Sequence, residues 1–156
     1  MEYLNFAWIT QGLMAGAQGP MSRRDLLYLS LQRIRSIVRM EEQSISGEAT
    51  ELVDLFQAVP NGTVPSLEQI ERMVLFMEAE IRTWERPVVV TCTDGLGNTG
   101  TVLACYMVYA GYTPEKAVSH IRELRPGSIQ TQEQEDAVHQ YTKLLKSREL
   151  ERRKKR

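Results

Sequence analysis

The sequence predicts a single α/β domain with a central, mostly parallel β-sheet that is flanked by helices. Its 156 residues suffice for one domain with a hydrophobic core, and 42% apolar with 25% charged residues is the balance of a globular chain. Residues 87–90 form an apolar run without a polar interruption, which is typical of a strand covered on both faces. Such runs alternate with segments of helical spacing, as in an α/β fold.

The first half of the chain is expected to contain one helix and two strands. Residues 1–21 are rich in glycine and are predicted to be irregular, held to the body by Phe6 and Trp8. Ser22 is a candidate N-cap for a helix that ends near Leu31. Strands are predicted over residues 34–40 and 52–59, with a loop or short helix over 41–50 and a turn at 60–62.

The second half is dominated by predicted helices. Ser66 and Gln69 form a capping box for a helix over residues 66–84, whose buried face is defined by apolar residues at helical spacing, namely Leu67, Ile70, Met73, Val74, Met77, Ile81 and Trp84. After the strand at 87–90, a helix is predicted from about 98 to 110. A second is predicted from the cap Thr113, with Pro114 at its first position, to the Arg-Pro-Gly break at 125–127, and a third from the capping box of Thr131 and Gln134 onward.

Charge and cysteine content limit the function classes. The two cysteines are too few for a disulfide framework, and no Cys/His cluster has metal-ligand spacing, so neither a metal nor another cofactor is expected. The net charge is −1, but residues 146–156 hold seven basic and two acidic residues, or +5, which leaves −6 for the rest. We therefore predict a domain over residues 1–147 and a basic tail over 148–156 that is frayed or disordered.

Targeting signals are not evident in the sequence. No apolar run approaches the roughly 20 residues of a membrane span, and the N-terminus has neither the basic flank nor the apolar run of a signal peptide. A cytoplasmic location is the resulting expectation.

The segment 91–101, Thr-Cys-Thr-Asp-Gly-Leu-Gly-Asn-Thr-Gly-Thr, joins a predicted strand to a predicted helix. Glycines allow such a loop to curl tightly, and backbone N–H groups with the helix dipole then favour a bound anion. A cysteine at the start of the loop would lie where those N–H groups converge, as a stabilised nucleophile. A plain strand-to-helix turn with a buried cysteine explains the glycines equally well.

The wider pattern resembles the protein tyrosine and dual-specificity phosphatases, most closely the small, compact dual-specificity phosphatases. Their signature loop is His-Cys-x-x-Gly-x-Gly-Arg-Thr-Gly-Thr. The resemblance extends to the segments 5–8, 60–66, 103–106, 125–129 and 131–135. It implies the single-domain cysteine-dependent phosphatase fold, with Cys92 at the nucleophile position, Thr99 as the hydroxyl that assists thiolate departure, and Gln134 as a candidate for positioning water. The phosphate loop would comprise Thr91, Thr93, Asp94, Gly95, Leu96, Gly97 and Asn98 around Cys92.

Four positions depart from the pattern of that family. Asn98 replaces the arginine that clamps phosphate, and a neutral amide cannot make a charged bidentate contact. Asn61 replaces the general-acid aspartate, whose proton transfer typically contributes ~10²–10⁴-fold. Thr91 replaces the histidine before the cysteine. Asp94 adds a carboxylate to the loop, as in some inactive receptor-type domains, unless it points to solvent. Asp54 is a weak candidate for a substitute acid.

These departures favour a pseudophosphatase, a phosphatase-like domain that binds or regulates without turnover. The alternatives are a weakly active Cys-dependent phosphatase acting through a phosphocysteine at Cys92, and a redox or anion sensor that uses the same thiol. Candidate partners are a phosphoprotein, another protein, and a phosphate- or sulfate-like anion in the loop. A nucleic acid is not expected, and the basic tail is either a solvated helix end or a docking segment.

Overall fold

The computed structural model describes residues 2–155, and its centre is a five-stranded sheet. The strands are β1 (Ala7–Thr10), β2 (Met14–Gln18), β3 (Ser36–Arg39), β4 (Val53–Phe56) and β5 (Val88–Cys92). Their order is β1-β2-β5-β3-β4, with β1 antiparallel to β2 and all other neighbours parallel. The predicted α/β class with a mostly parallel sheet is confirmed.

The N-terminal segment is not irregular as predicted, because it supplies β1 and β2. Strand β2 pairs along its whole length with β5, and Gln18 lies opposite Cys92. Alanine and glycine dominate β2 and have low strand propensity, so this segment carries little local signal for a strand. Phe6 is buried and meets Trp8 edge to face, which agrees with the predicted attachment of this segment to the body.

Five helices surround the sheet: α1 (Arg23–Leu31), α2 (Leu67–Glu78), α3 (Gly97–Tyr109), α4 (Pro114–Leu124) and α5 (Gln132–Lys154). Each predicted cap is present, and the side chains of Ser22, Ser66, Thr113 and Thr131 accept backbone N–H groups of their own first turns. The predicted strands 34–40 and 52–59 are shorter in the structure, and a short 3-10 helix (Gly47–Thr50) lies between them.

Both faces of the sheet are buried. One core packs the inner faces of α2 to α5 on the sheet, and the other packs α1 and the N-terminal segment on the opposite face. Helix α3 is almost wholly buried because it lies between the sheet and its neighbours α2, α4 and α5. A nearly fully buried helix that starts at the loop after β5 fixes that loop firmly to the core.

Trp84 is not on the buried face of α2 as predicted, since its side chain is 60% exposed. The regular helix ends at Glu78 and continues as a π-helical turn over Ala79–Thr83. A π turn adds a residue to the helical repeat and rotates the following side chains. Trp84 is thereby turned outward, where it lies against the guanidinium of Arg86.

The basic C-terminal segment is helical rather than frayed. Helix α5 continues to Lys154, and beyond Leu145 its side chains are exposed. Arg148 pairs with Glu71 of α2, while Arg152 and Arg153 pair with Glu149 of the same helix. Met1 and Arg156, which belong to the predicted domain and tail, lie outside the described residues.

Candidate active site

The loop between β5 and α3 places Cys92 at the carboxyl edge of the sheet, where α/β folds bind ligands. Its sulfur is buried and accepts the backbone N–H of Thr99 at 3.4 Å. Gly95 has a φ of +74°, and a Cβ there would lie 2.6 Å from the backbone of Ala17. The loop therefore requires glycine at this position both for its conformation and for its contact with β2.

Asp94 turns its side chain into the loop, so the alternative in which it points to solvent is wrong. Its Oδ1 accepts the N–H groups of Leu96 at 2.8 Å and Gly97 at 3.3 Å, and it lies 3.4 Å from the Cys92 sulfur. Its Oδ2 accepts Nε2 of Gln130 at 2.8 Å. Burial alone would raise the pKa of Asp94, but these hydrogen bonds outweigh burial and hold the pKa below its usual range.

Asn98 and Gln134 form a buried amide pair at the start of α3. Nε2 of Gln134 donates to Oδ1 of Asn98 at 3.1 Å. The Gln134 oxygen accepts the N–H groups of Gln130 at 2.7 Å and Thr131 at 3.1 Å, as part of the capping box of α5. The Gln134 oxygen therefore accepts two N–H groups and one of the two Nε2 hydrogens is used by Asn98, so a single N–H is left for its predicted role in positioning water.

Arg125 joins the loop to the N-terminal segment and to β2 through hydrogen bonds to main-chain carbonyl groups. This buried guanidinium donates through Nη1 to the carbonyl groups of Asn5 at 2.7 Å and Gly16 at 3.1 Å, and through Nη2 to the carbonyl of Gly95. Burial lowers the pKa of Arg125, and the nearby Cys92 and Asp94 partly offset that effect. The charge of Arg125 is thus directed at main-chain oxygens of the loop and of β2.

Thr91 precedes the cysteine and contacts a buried glutamate. Its hydroxyl lies 2.8 and 3.0 Å from the carboxyl oxygens of Glu41 and 3.3 Å from the carbonyl oxygen of Val38. Burial raises the pKa of Glu41, although hydrogen bonds from Ser44, its own backbone and Thr91, together with the charge of Arg39, oppose the shift. A protonated Glu41 can donate to Thr91, whose own proton is then available to Val38.

A cleft of about 620 Å³ opens beside the loop. Thr93 and Asn61 both line it, so the segment predicted as the general-acid loop and the predicted phosphate loop border the same cleft. Three carboxylate residues, Asp25, Glu41 and Glu42, belong to the lining, and among the described residues no lysine or arginine does. This environment disfavours a phosphate dianion.

The remaining residues predicted for the site differ in burial and in location. Leu96 is half-buried, whereas Gly97 and Thr99 are buried, and the Thr99 hydroxyl has no hydrogen-bond partner of ordinary geometry within residues 2–155. Asp54 lies on β4, where it holds Arg39 at 2.7 Å, and does not line the cleft. Its use as a substitute acid is therefore contradicted.

Burial raises the pKa of the Cys92 thiol, and the charge of Asp94 raises it further, whereas the hydrogen bond from the N–H of Thr99 lowers it. The net effect is a pKa above the usual value, so the thiol form predominates at neutral pH.

Sequence reasoning missed Glu41 and Gln130. Glu41 follows the buried strand β3, so its place at the carboxyl end of a parallel strand was the available signal. Gln130 lies 36 residues from Asp94 and had no such signal. In residues 2–155, no helix has the length and hydropathy of a membrane span, and no group of three or more His, Cys, Asp or Glu side chains is arranged to hold a metal ion.

Comparison with protein families and known proteins identifies relatives. Residues 4–138 match the family model described as the DSP-PTPase phosphatase domain of Swiss Army Knife proteins. Mouse protein tyrosine phosphatase domain-containing protein 1 is 30% identical over 164 residues, covering 89% of this chain and 22% of the relative. Human dual specificity protein phosphatase CDC14A is 28% identical over 148 residues, covering 83% of this chain and 24% of the relative. The chain thus spans less than a quarter of these curated relatives.

Solved structures share the fold. The crystal structure of Tk-PTP in the active form has a TM-score of 0.82 at 26% identity, covering 91% of this chain and 99% of that chain. PTPMT1 in complex with PI(5)P has a TM-score of 0.82 at 18% identity, covering 92% of this chain and 97% of that chain, which shows likeness of fold alone.

Proposed function

We propose that this chain, which belongs to the DSP-PTPase family of phosphatase domains, is a catalytically impaired member that serves as a binding or regulatory module. The observation that carries the proposal is the state of position 98. Asn98 is neutral, and its side-chain oxygen is bonded to Gln134 instead of facing an incoming phosphate with charged donors.

The missing clamp has no substitute in the loop. Arg125 is the guanidinium nearest to the loop's carbonyl groups, but it is bonded to main-chain oxygens of Asn5, Gly16 and Gly95. Loss of one charged contact in a partly buried site costs about 2–5 kcal/mol, or roughly 30-fold to several thousand-fold in affinity or rate.

Proton transfer is impaired as well. Asn61 stands in the general-acid loop, and an amide has no proton to give at physiological pH. The thiol of Cys92 is held protonated by burial and by Asp94, so the nucleophile is weak. The same raised pKa argues against the redox-sensor alternative, because sensor cysteines are low-pKa thiols.

Hydrolysis of p-nitrophenyl phosphate tests the proposal directly. We expect the wild-type protein to match its Cys92→Ser control. Restoring Asn98→Arg and Asn61→Asp in a chain that also carries Asp94→Ala should raise turnover by at least ~100-fold, since the clamp and the acid each act in the transition state. Wild-type turnover at rates typical of active phosphatases, abolished by Cys92→Ser, would contradict the proposal.

A weakly active Cys-dependent phosphatase is the second candidate, favoured by one observation. Glu41 lines the cleft, and burial raises the pKa of its carboxyl group, which is the direction of shift that a general acid requires. This candidate predicts a slow activity that Cys92→Ser abolishes and Glu41→Gln reduces at least tenfold. Equal slow rates for wild type and both variants would exclude it.

The proposed class of partner rests on membership of the phosphatase family and not on a feature of the cleft. A phosphoprotein or another protein remains the proposed partner, and the cytoplasmic location stays a prediction. The first measurement for partners is pull-down with the wild-type chain beside a variant altered in the cleft, Asn61→Arg, because Asn61 lines the cleft that Thr93 of the loop also lines.

A further inference from the structure

We propose that the loop is an oxyanion site whose ligand in this chain is its own Asp94, held in place by Gln130. This inference rests on the proposed function, and it adds the reason why the site excludes external anions. It concerns binding, so it can fail while the loss of catalysis stands.

The carboxylate of Asp94 occupies the donors that a bound oxyanion would use. Its Oδ1 takes the N–H groups of Leu96 and Gly97 at the first turn of α3, and it lies 3.4 Å from the Cys92 sulfur. Backbone N–H groups at the N-terminus of a helix are ready donors for a phosphate, sulfate or carboxylate. One carboxylate oxygen therefore stands beside the reactive atom and on the same type of donor.

Gln130 distinguishes this arrangement from a local turn. The contact between Nε2 of Gln130 and Oδ2 of Asp94 is 2.8 Å long and joins residues 36 positions apart. The two oxygens of Asp94 are thus bonded from two different segments, the start of α3 and the segment before α5. A side chain serving only to cap α3 would not need the second partner.

The backbone of the loop is built independently of Asp94. Gly95 is packed on Ala17, and its carbonyl accepts Arg125. The N–H of Thr99 points at the Cys92 sulfur. Because these contacts do not involve the Asp94 side chain, the curled loop should persist when that side chain is shortened. Its N–H groups then become available to a ligand.

Tungstate, a stable analogue of phosphate, is the probe. Isothermal titration calorimetry of the purified chain should detect no tungstate binding to the wild type. Asp94→Ala should bind tungstate at least tenfold more tightly than the detection limit for the wild type, because the substitution removes both the carboxylate that occupies the donors and a like charge. The carboxamide variant Asp94→Asn keeps an oxygen on the same donors, so its gain should be clearly smaller. Gln130→Ala should give a gain between wild type and Asp94→Ala.

Asp136→Ala is the matched control. Asp136 lies on the exposed face of α5, where it accepts Nε2 of Gln132, so its loss changes the net charge equally without touching the loop. Circular dichroism and a thermal melt verify that each variant is folded, and Asp94→Asn remains informative if Asp94→Ala is not.

The outcomes separate this inference from the proposed function. No tungstate binding by folded Asp94→Ala or Gln130→Ala overturns the inference. So does an equal gain in Asp94→Asn and Asp94→Ala, since charge alone would then explain it. Turnover of p-nitrophenyl phosphate by the wild type overturns the proposed function instead. Tungstate binding by Asp94→Ala without turnover supports both.

Discussion

The side chain of Asp94 contacts the sulfur of Cys92, and its negative charge raises the pKa of that thiol. Its Oδ1 is 3.4 Å from the sulfur, a distance at which a carboxylate opposes formation of a thiolate. The neighbouring Thr99 acts in the opposite sense, because its N–H donates to the sulfur and lowers the pKa of the thiol. The protonation state of Cys92 is therefore set by a balance between two loop residues on top of its burial.

Replacing Asp94 by asparagine should make Cys92 more reactive. Removing the charge lowers the pKa of the thiol, so more thiolate is present at pH 7.5, and we expect alkylation by iodoacetamide to accelerate about three- to tenfold. Mass spectrometry of the modified peptide measures the rate separately from Cys105, which is fully buried.

The matched control for this measurement is Asp136→Asn, which should leave the alkylation rate at the wild-type value. An unchanged rate in Asp94→Asn would show that burial alone sets the reactivity of Cys92. A slower rate would contradict the charge argument outright.

Glu41 should make the stability of the protein fall as the pH rises. Its folded-state pKa is raised, so the folded protein keeps a proton that the unfolded chain loses above about pH 4.5. The stability contribution is complete below that pH and is lost as the pH rises through the folded-state pKa. We expect Glu41→Gln, which cannot ionise, to become more stable relative to wild type as the pH rises above about 4.5.

Urea unfolding at pH 4.5, 6 and 8 measures this difference. Glu42→Gln is the control, because Glu42 is an exposed neighbour that lines the same cleft. A constant difference between wild type and Glu41→Gln across this range would show that Glu41 is ionised in both states.

At the scale of elements, the segment after α4 holds the loop to β2 through one side chain. Arg125 bonds three main-chain oxygens that belong to the N-terminal segment, to β2 and to the loop. Gly16 allows this approach, because a Cβ there would lie 3.0 Å from Nε of Arg125 and equally close to Leu103 and Thr99.

Arg125→Lys should therefore destabilise the fold by about 2–4 kcal/mol. A compact ammonium group cannot bond three oxygens spread over three segments, so buried carbonyl groups lose their donors. Urea unfolding measures the change, with Arg82→Lys as the control at an exposed arginine. A loss below about 0.5 kcal/mol would mean that the loop does not depend on Arg125.

Elements with strong local signals could be predicted, and those that depend on tertiary contact could not. The caps at Ser22, Ser66, Thr113 and Thr131 lie in the predicted places because a cap is decided within four residues. Strand β2 was not predicted, because its residues are small and have low strand propensity. Gly16 of β2 is needed for the close approach of Arg125 and of α3.

The same division holds for the site. The glycines and Cys92 indicated an anion loop, and Asn61 does face it across the cleft. The inward turn of Asp94 could not be foreseen, since it depends on Gln130, and the pairing of Thr91 with Glu41 joins residues 50 positions apart. Residue types in the sequence identified the positions that depart from the family pattern, whereas the hydrogen bonds among the side chains of the loop could be seen only in the fold.

At the scale of the whole molecule, positive charge is concentrated at the end of α5, away from the acidic remainder. Residues 146–156 carry +5 and the rest −6. The end of α5 extends past the core, and from residue 149 its ion pairs among the described residues lie within the helix. Exposed pairs of this kind contribute little to stability. The division into a domain over residues 1–147 and a tail over 148–156 stays a prediction, and helix α5 runs without interruption across that boundary.

Deleting residues 149–156 should leave the free energy of unfolding within about 0.5 kcal/mol of wild type, because the pair of Arg148 with Glu71 is retained. The deletion removes five basic and two acidic residues, so the net charge changes from −1 to −4. The truncated chain should elute later from an anion-exchange column. A full-length variant with Arg152→Gln, Arg153→Gln and Lys154→Gln reaches the same −4 and controls for helix length. A loss above about 1 kcal/mol in the truncated chain alone would show that the end of α5 stabilises the body, and that the boundary near residue 148 is misplaced.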